Sequence, residues 1–197
     1  MTSEFEACIV AGGVALFPAD TVYGLACDPT SREAVARLYA LKGRPAGKPA
    51  AVMFFSLECA LAALPELGPR TRSAIEVLLP GAVTLVVPNP LARYAPACGH
   101  DPWTLGLRVP APGLLAEVAV PVMQSSANRS GGADPRSLEE VAEAVREGAD
   151  LTVDGGTLPG TPSTVVDLRA YDGHGTWSVI REGAVTRADV AAALDAR

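Results

Sequence analysis

Ser3-Glu4-Phe5-Glu6-Ala7-Cys8-Ile9-Val10-Ala11-Gly12-Gly13-Val14-Ala15-Leu16-Phe17 decides the fold class. Ser3 and Glu6 stand three apart, the spacing of a capping box in which each side chain satisfies the other's free backbone amide. The helix this opens is expected to stop at Gly12-Gly13, and Val14 to Phe17 then reads as a short buried strand. Helix, glycine stop and apolar strand within fifteen residues is the unit of an α/β protein.

The same alternation continues to the end of the chain. Ser31 caps a second helix with Ala34, Leu38 and Leu41 on one face, and Ala51 to Phe55 is the next strand. Ser56 to Ala63 and Thr71 to Leu79 read as helices, Val83 to Val87 and Leu105 to Val109 as strands. Gly113 to Val118 is expected to form one short helix and Pro121 to Gln124 a strand. A second capping box, Ser137-Leu138-Glu139-Glu140, opens a helix carrying Leu138, Val141, Ala142 and Val145 at helical spacing. Thr164 to Leu168 and Trp177 to Ile180 are strands, and Thr186 to Asp189 starts a last helix with Val185 and Val190 at staple positions. The expectation is a single domain over residues 1–197 with a mixed, largely buried sheet. Pro88 to Trp103 and Gly155 to Pro162 read as loops at a site, not as linkers.

Hydrophobic residues are 49% and charged ones 19% of 197 residues, a globular balance with room for a sizeable core. Aromatics are only 5%, so Ala, Val and Leu must build that core. A net charge of −6 argues against gripping nucleic acid by bulk electrostatics, so direct nucleic-acid binding is expected to be weak or absent. Cys8, Cys27, Cys59 and Cys98 form no C-x-x-C and read as buried free thiols of a reducing compartment. Met1 to Glu6 carries no basic leader and no apolar run is long enough to span a bilayer, so the expected location is the cytoplasm, with no membrane partner.

Six segments carry polar chemistry. Pro18-Ala19-Asp20-Thr21-Val22-Tyr23-Gly24 follows a strand; it suits substrate recognition, or a tight turn in which Asp20 caps backbone. Lys42-Gly43-Arg44-Pro45-Ala46-Gly47-Lys48-Pro49 places three cations within seven residues. Taken alone that cluster reads first as a solvated basic helix end; a polyphosphate is the alternative. It is not a Walker A loop, because three residues separate Gly43 from Gly47 and Pro49 stands where a hydroxyl is required. Arg108 lies inside the apolar run Leu105-Gly106-Leu107-Arg108-Val109 and needs an anion, either a substrate carboxylate or an internal Asp or Glu. Ser125-Ser126-Ala127-Asn128-Arg129-Ser130-Gly131 is a turn or a phosphate cradle, and Pro162 to Asp167 brings Ser163 and Thr164 to a strand start. Arg181 repeats the Arg108 pattern after Val179-Ile180. His100 and His174 have no ligand-spaced partners, and no nucleophile–histidine pair is visible.

In this order, Pro18 to Gly24, Lys42 to Pro49, Pro80-Gly81-Ala82-Val83-Thr84, Arg108-Val109-Pro110, Ser125 to Gly131, Pro162 to Asp167 and Ile180-Arg181-Glu182-Gly183 resemble the YrdC-like threonylcarbamoyl-AMP synthases over nearly the whole chain. The resemblance implies a twisted mixed α/β sheet with flanking helices around a cationic cavity. It implies ATP contacts from Lys42, Arg44, Lys48, Thr104, Ser126, Asn128 and Arg181, and threonine contacts from Thr21, Tyr23, Arg108 and Ser163. It implies no protein metal site, with Mg2+ carried by ATP, itself a substrate. Ala19, Ser125 and Met53 depart from residues frequent in the family, and none of the three removes a charged anchor.

The implied reaction joins threonine, bicarbonate or carbon dioxide, and ATP into threonylcarbamoyl-AMP with release of pyrophosphate. The product would go to a downstream tRNA threonylcarbamoyl transferase. Since the substrates supply the nucleophile, the protein's task is positioning and charge stabilisation. Two other readings share the fold: a non-catalytic RNA-binding relative, disfavoured by the acidic charge, and a carbamoyl transferase, whose zinc-finger and acylphosphatase-like segments are not visible here.

Overall fold

A computed structural model describes residues 1–45 and 47–195. In chain order the elements are α1 (Thr2–Val10), β1 (Ala15–Pro18), β2 (Tyr23–Cys27), α2 (Arg32–Lys42), β3 (Ala51–Met53), α3 (Leu57–Ala63), α4 (Pro69–Leu78), β4 (Val83–Pro88), β5 (Thr104–Arg108), β6 (Val122–Ser126), α5 (Glu143–Glu147), β7 (Leu151–Thr152), β8 (Thr164–Asp167), α6 (Tyr171–His174), β9 (Ser178–Arg181) and α7 (Arg187–Asp195). The strands form one sheet in the order β7-β1-β2-β6-β3-β5-β4-β8-β9. Pairs β1–β7, β3–β5 and β4–β8 are parallel and the rest antiparallel, so the sheet is mixed, as expected.

Strand side chains alternate between faces, and the alternation builds two cores. Leu16, Leu25, Met123, Val52, Leu107, Leu105 and Leu85 point to one face, where α2, α4 and α7 bury Leu38, Ile75 and Leu194 against them. On the other face Phe17, Ala26, Val122 and Met53 meet Phe5 and Ile9 of α1 together with Leu115 and Val118. This second cluster covers only the β1–β2–β6–β3 side of its face. The remainder of that face is the floor of a cavity.

Local chemistry explains several element ends. Ser31 Oγ accepts from Ala34 N at 3.1 Å and opens α2, which ends at Gly43 in the left-handed region (φ 58°) that glycine enters freely. Ser56 caps α3 the same way. Thr186 and Asp189 exchange backbone and side-chain bonds at the start of α7, and Val190 is buried in the larger core, against which Val185 also packs.

Other expectations are corrected. Ser3 lies inside α1, whose cap position is Met1 with no side-chain bond; Glu6 instead accepts from Ala119 N at 2.6 Å. Residues 113–118 form two overlapping four-residue turns (Ala116 N to Gly113 O, Val118 N to Leu115 O), not a helix. The Ser137 helix is broken. Glu140 turns back to Arg136 N at 2.8 Å, Leu138–Glu140 makes one 3-10 turn, Val141 is extended, and α5 starts afterwards. Cys59 is exposed and Cys8 only half-buried, so the buried-thiol expectation holds for Cys27 and Cys98. The strand β2, the two-residue β7 and the one-turn α6 were not expected. No helix among the described residues is long and apolar enough to cross a membrane.

Candidate functional site

The cavity measures about 340 Å³, within the roughly 300–1,000 Å³ of small-molecule sites. Its floor is the sheet face described above: Thr84 and Val86 of β4, Thr104, Gly106 and Arg108 of β5, Ala51 of β3, Gln124 and Ser126 of β6. Arg44 stands on one side, with Ser163 and Val165 at β8 and Ile180 and Arg181 of β9 on the other. A bulge at Val165/Val166 pairs Arg181 with Val165 and Val179 with Val166. Ile180 is thereby left over, and both it and Arg181 line the cavity. Three arginines and one carboxylate, Asp134, are among the lining residues.

Arg108 is 3% exposed and meets an internal carboxylate, the second of the two partners the sequence left open. Its Nη2 donates to Asp20 Oδ1 and, at 2.7 Å, to Thr21 Oγ1, while Nε is buried without a partner among the described residues. Burial lowers the guanidinium's pKa against the pull of Asp20, and Arg181 adds to the lowering. Asp20 also accepts from Ala111 N at 3.0 Å, tying the β1–β2 turn to the strand that follows β5.

Arg44 repeats the pattern. Its guanidinium lies 5.4 Å over the Tyr39 ring and Nη2 donates to Pro49 O at 2.6 Å, yet Nε is buried with no partner among the described residues. Arg181 is exposed and donates to Ser163 O at 2.7 Å. The buried hydroxyls of Ser163 and Thr84 bond each other at 2.9 Å beside Arg108. Thr104 is held by Asp101 Oδ2 at 3.0 Å, and Ser126 donates to Asn128 Oδ1 at 2.6 Å.

Four of the expected residues are placed elsewhere. Lys42, expected at the nucleotide, is 2% exposed and absent from the wall; its ammonium donates to Ser126 O, to Asn128 O at 2.8 Å and to Asn128 Oδ1 at 3.1 Å. It holds the Ser126–Asn128 turn from behind. Burial, then Arg44, lowers its pKa to about 8 against the pull of Asp134. Asn128 is spent on the same turn, its Nδ2 donating to Gly132 O. Tyr23 points to the larger core. Its hydroxyl joins Asp154 and Gly156 O and accepts from Gly155 N, and burial raises its pKa. Lys48 is exposed, outside the wall; its carbonyl accepts from Tyr39 at 2.6 Å. Thr21 reaches the site through Arg108.

Asp20 as an ion-pair partner, and Thr84, Gln124 and Asp134 as lining residues, were not expected at the site. Thr84 and Gln124 had a usable signal, a polar residue at alternate positions of an apolar strand. Asp134 had none. The loop Pro88 to Trp103 is pinned, with Ala97 O accepting from Ala50 N and His100 N donating to Gly47 O, so it props the basic loop against the cavity.

The family profile Sua5, YciO, YrdC, described as telomere recombination, matches residues 7–183. A threonylcarbamoyl-AMP synthase of Pyrococcus abyssi is 34% identical over 168 residues, 81% of this chain and 48% of the relative. One from Bacillus subtilis is 31% identical over 189 residues, 92% of this chain and 53% of the relative. The crystal structure of P. abyssi Sua5 complexed with L-threonine superposes with a TM-score of 0.82 at 28% identity, covering 98% of this chain and 56% of that one. The chain spans about half the length of these relatives.

Proposed function

This chain belongs to the Sua5, YciO and YrdC family, and we propose that it makes threonylcarbamoyl-AMP from L-threonine, bicarbonate or carbon dioxide, and ATP. The observation that carries the reading is the placement of unpartnered donors. Four buried side-chain polar atoms lack a partner among the described residues, and two of them are Nε of Arg44 and Nε of Arg108, both on one cavity. A buried guanidinium donor without a partner is costly, and a bound anion removes the cost.

Arg108 is assigned the threonine carboxylate, with the Thr84–Ser163 hydroxyl pair beside it for the polar groups of the amino acid. Arg44, Arg181, Thr104 and Ser126 are assigned the phosphates, with Lys42 and Asn128 shaping the Ser126 turn. Lys48 extends the positive charge at the rim. The threonine amine adds carbon dioxide and loses a proton, giving a carbamate. A carbamate oxygen attacks the α-phosphorus, the bond to the β-phosphate bridging oxygen breaks, and pyrophosphate leaves with that electron pair. The arginines stabilise charge on the phosphoryl oxygens and the leaving group. Magnesium arriving with ATP would find one carboxylate in the wall, Asp134, which suits an ion that keeps phosphate and water ligands. The adenylate would then pass to a transferase that modifies tRNA.

Pyrophosphate release tests the reading. It should require threonine, ATP and bicarbonate together, and release that ignores threonine would overturn the assignment.

A further inference from the structure

The cavity floor is ordered in rows across the strands. Thr104, Gly106 and Arg108 project from β5 at every second residue, so the outer two are about 13 Å apart with Gly106 midway. Register places Gln124 of β6 opposite Ala51, Ala51 opposite Gly106, and Gly106 opposite Val86. This middle row is flat. A Cβ on Gly106 would lie 3.1 Å from Ala51 Cα, which holds the floor to backbone height there. Of its four members only Gln124 carries a side-chain hydrogen-bonding group. That group makes no hydrogen bond among the described residues, although the residue is half-buried and lines the cavity. A Cβ on Gly24 of β2 would come within 3.4 Å of Gln124 Oε1, so the carboxamide occupies space that the glycine leaves open.

On the proposed function, anions are held at both ends of the floor: the carboxylate at Arg108, the phosphates toward Arg44, Thr104 and Ser126. The carbamate forms on the amine two bonds from the carboxylate carbon, so the reacting carbamate and α-phosphate lie over the middle row. We propose that Gln124 is a catalytic residue of this reaction, its carboxamide N–H donating to a carbamate oxygen and aligning it for attack on the α-phosphorus. Gln124 neither gives nor takes a proton; the bonds made and broken remain those between carbamate oxygen, phosphorus and pyrophosphate. A neutral donor suits the position, since a carboxylate there would repel the carbamate and a further cation would trap it.

The test uses the full chain and two variants. Gln124→Met keeps length and removes the donor; Gln124→Glu keeps shape and replaces the donor with charge. Wild-type protein is first assayed for pyrophosphate release dependent on all three substrates. Against that rate, Gln124→Met should lose about 10–100-fold in kcat, with KM for threonine and the Kd of a non-hydrolysable ATP analogue within about threefold. Gln124→Glu should lose at least as much and also weaken the analogue. An active wild type with Gln124→Met of equal kcat per folded molecule overturns the role of Gln124 and leaves the proposed function standing. A wild type with no threonine-dependent release overturns both. If Gln124→Met fails to fold, Gln124→Glu decides, and activity near wild type in that variant refutes the proposal.

Discussion

Replacing Arg108 by leucine isolates the buried pair on which the site is built. Asp20 and Arg108 are 8% and 3% exposed at their side chains. Removing the guanidinium strands a carboxylate that retains one backbone donor, Ala111 N at 3.0 Å, and loses its charge partner. Breaking a buried pair from one side costs about 3–5 kcal/mol. Arg108→Leu should lose about 3–4 kcal/mol at pH 7 in urea unfolding, a drop of roughly 6–16 °C in Tm for a chain of this size. Adding Asp20→Asn should restore stability to within about 1 kcal/mol of wild type without restoring threonine binding. Equal stability of Arg108→Leu and wild type at pH 7, or a double variant no more stable than the single one, would refute the reasoning.

The chain has two lysines, Lys42 and Lys48, so carbon-13 labelling at lysine Cε should reveal one resonance titrating near pH 8 that Lys42→Arg abolishes; no lysine resonance moving below pH 9 would contradict the burial of Lys42. Because its folded value lies below the reference near 10.4, stability should gain from this group as pH rises from about 8 toward 10. Arg44→Ala and Arg181→Ala should each weaken a non-hydrolysable ATP analogue by about 10–150-fold in calorimetry, while Lys48→Ala, exposed at the rim, should cost only about 2–5-fold. Residues 1–197 should unfold in one transition, with far-ultraviolet circular dichroism and tryptophan fluorescence coinciding; two separated transitions would argue against a single domain.

How much of this could be read from the chain depends on whether the signal was local. Ser31, Ser56 and Thr186 cap their helices because a side chain three residues from its amide partner is enough. The Ser137 box failed for a local reason as well, since Glu140 found Arg136 N instead. β2 was hidden because Tyr23-Gly24-Leu25-Ala26-Cys27 is wholly buried and shows no alternation, and because Tyr23-Gly24 completes a motif that reads as a turn. The two-residue β7 exists only through its pairing with β1. At the site, the need of Arg108 for an anion was legible from its apolar neighbours. That the anion is Asp20, 88 residues earlier, was not, since only the sheet brings them together. The fate of Lys42 was equally non-local: a cation at a helix end looks solvated until the Ser126–Asn128 carbonyls close over it.

The cavity and the larger core are two readings of the same strands. Leu107 and Leu105 enter the core while Arg108, Gly106 and Thr104 face the cavity; Leu85 lies in the core between Thr84 and Val86, and Met123 beside Gln124. Arg108 therefore looks misplaced in sequence only because its neighbours belong to the opposite face. The arrangement also makes register and chemistry inseparable. Sliding β5 by one residue against β3 and β4 would bring Leu107 into the cavity and turn the guanidinium into the leucine core, away from Asp20. The apolar residues that fix strand pairing thus also fix where the arginine, the hydroxyls and the glutamine stand relative to one another. Residues drawn from β4, β5, β6, β8 and β9 can converge on one ligand without a shared local motif, because the side chain at every second position needs only its neighbours to be apolar.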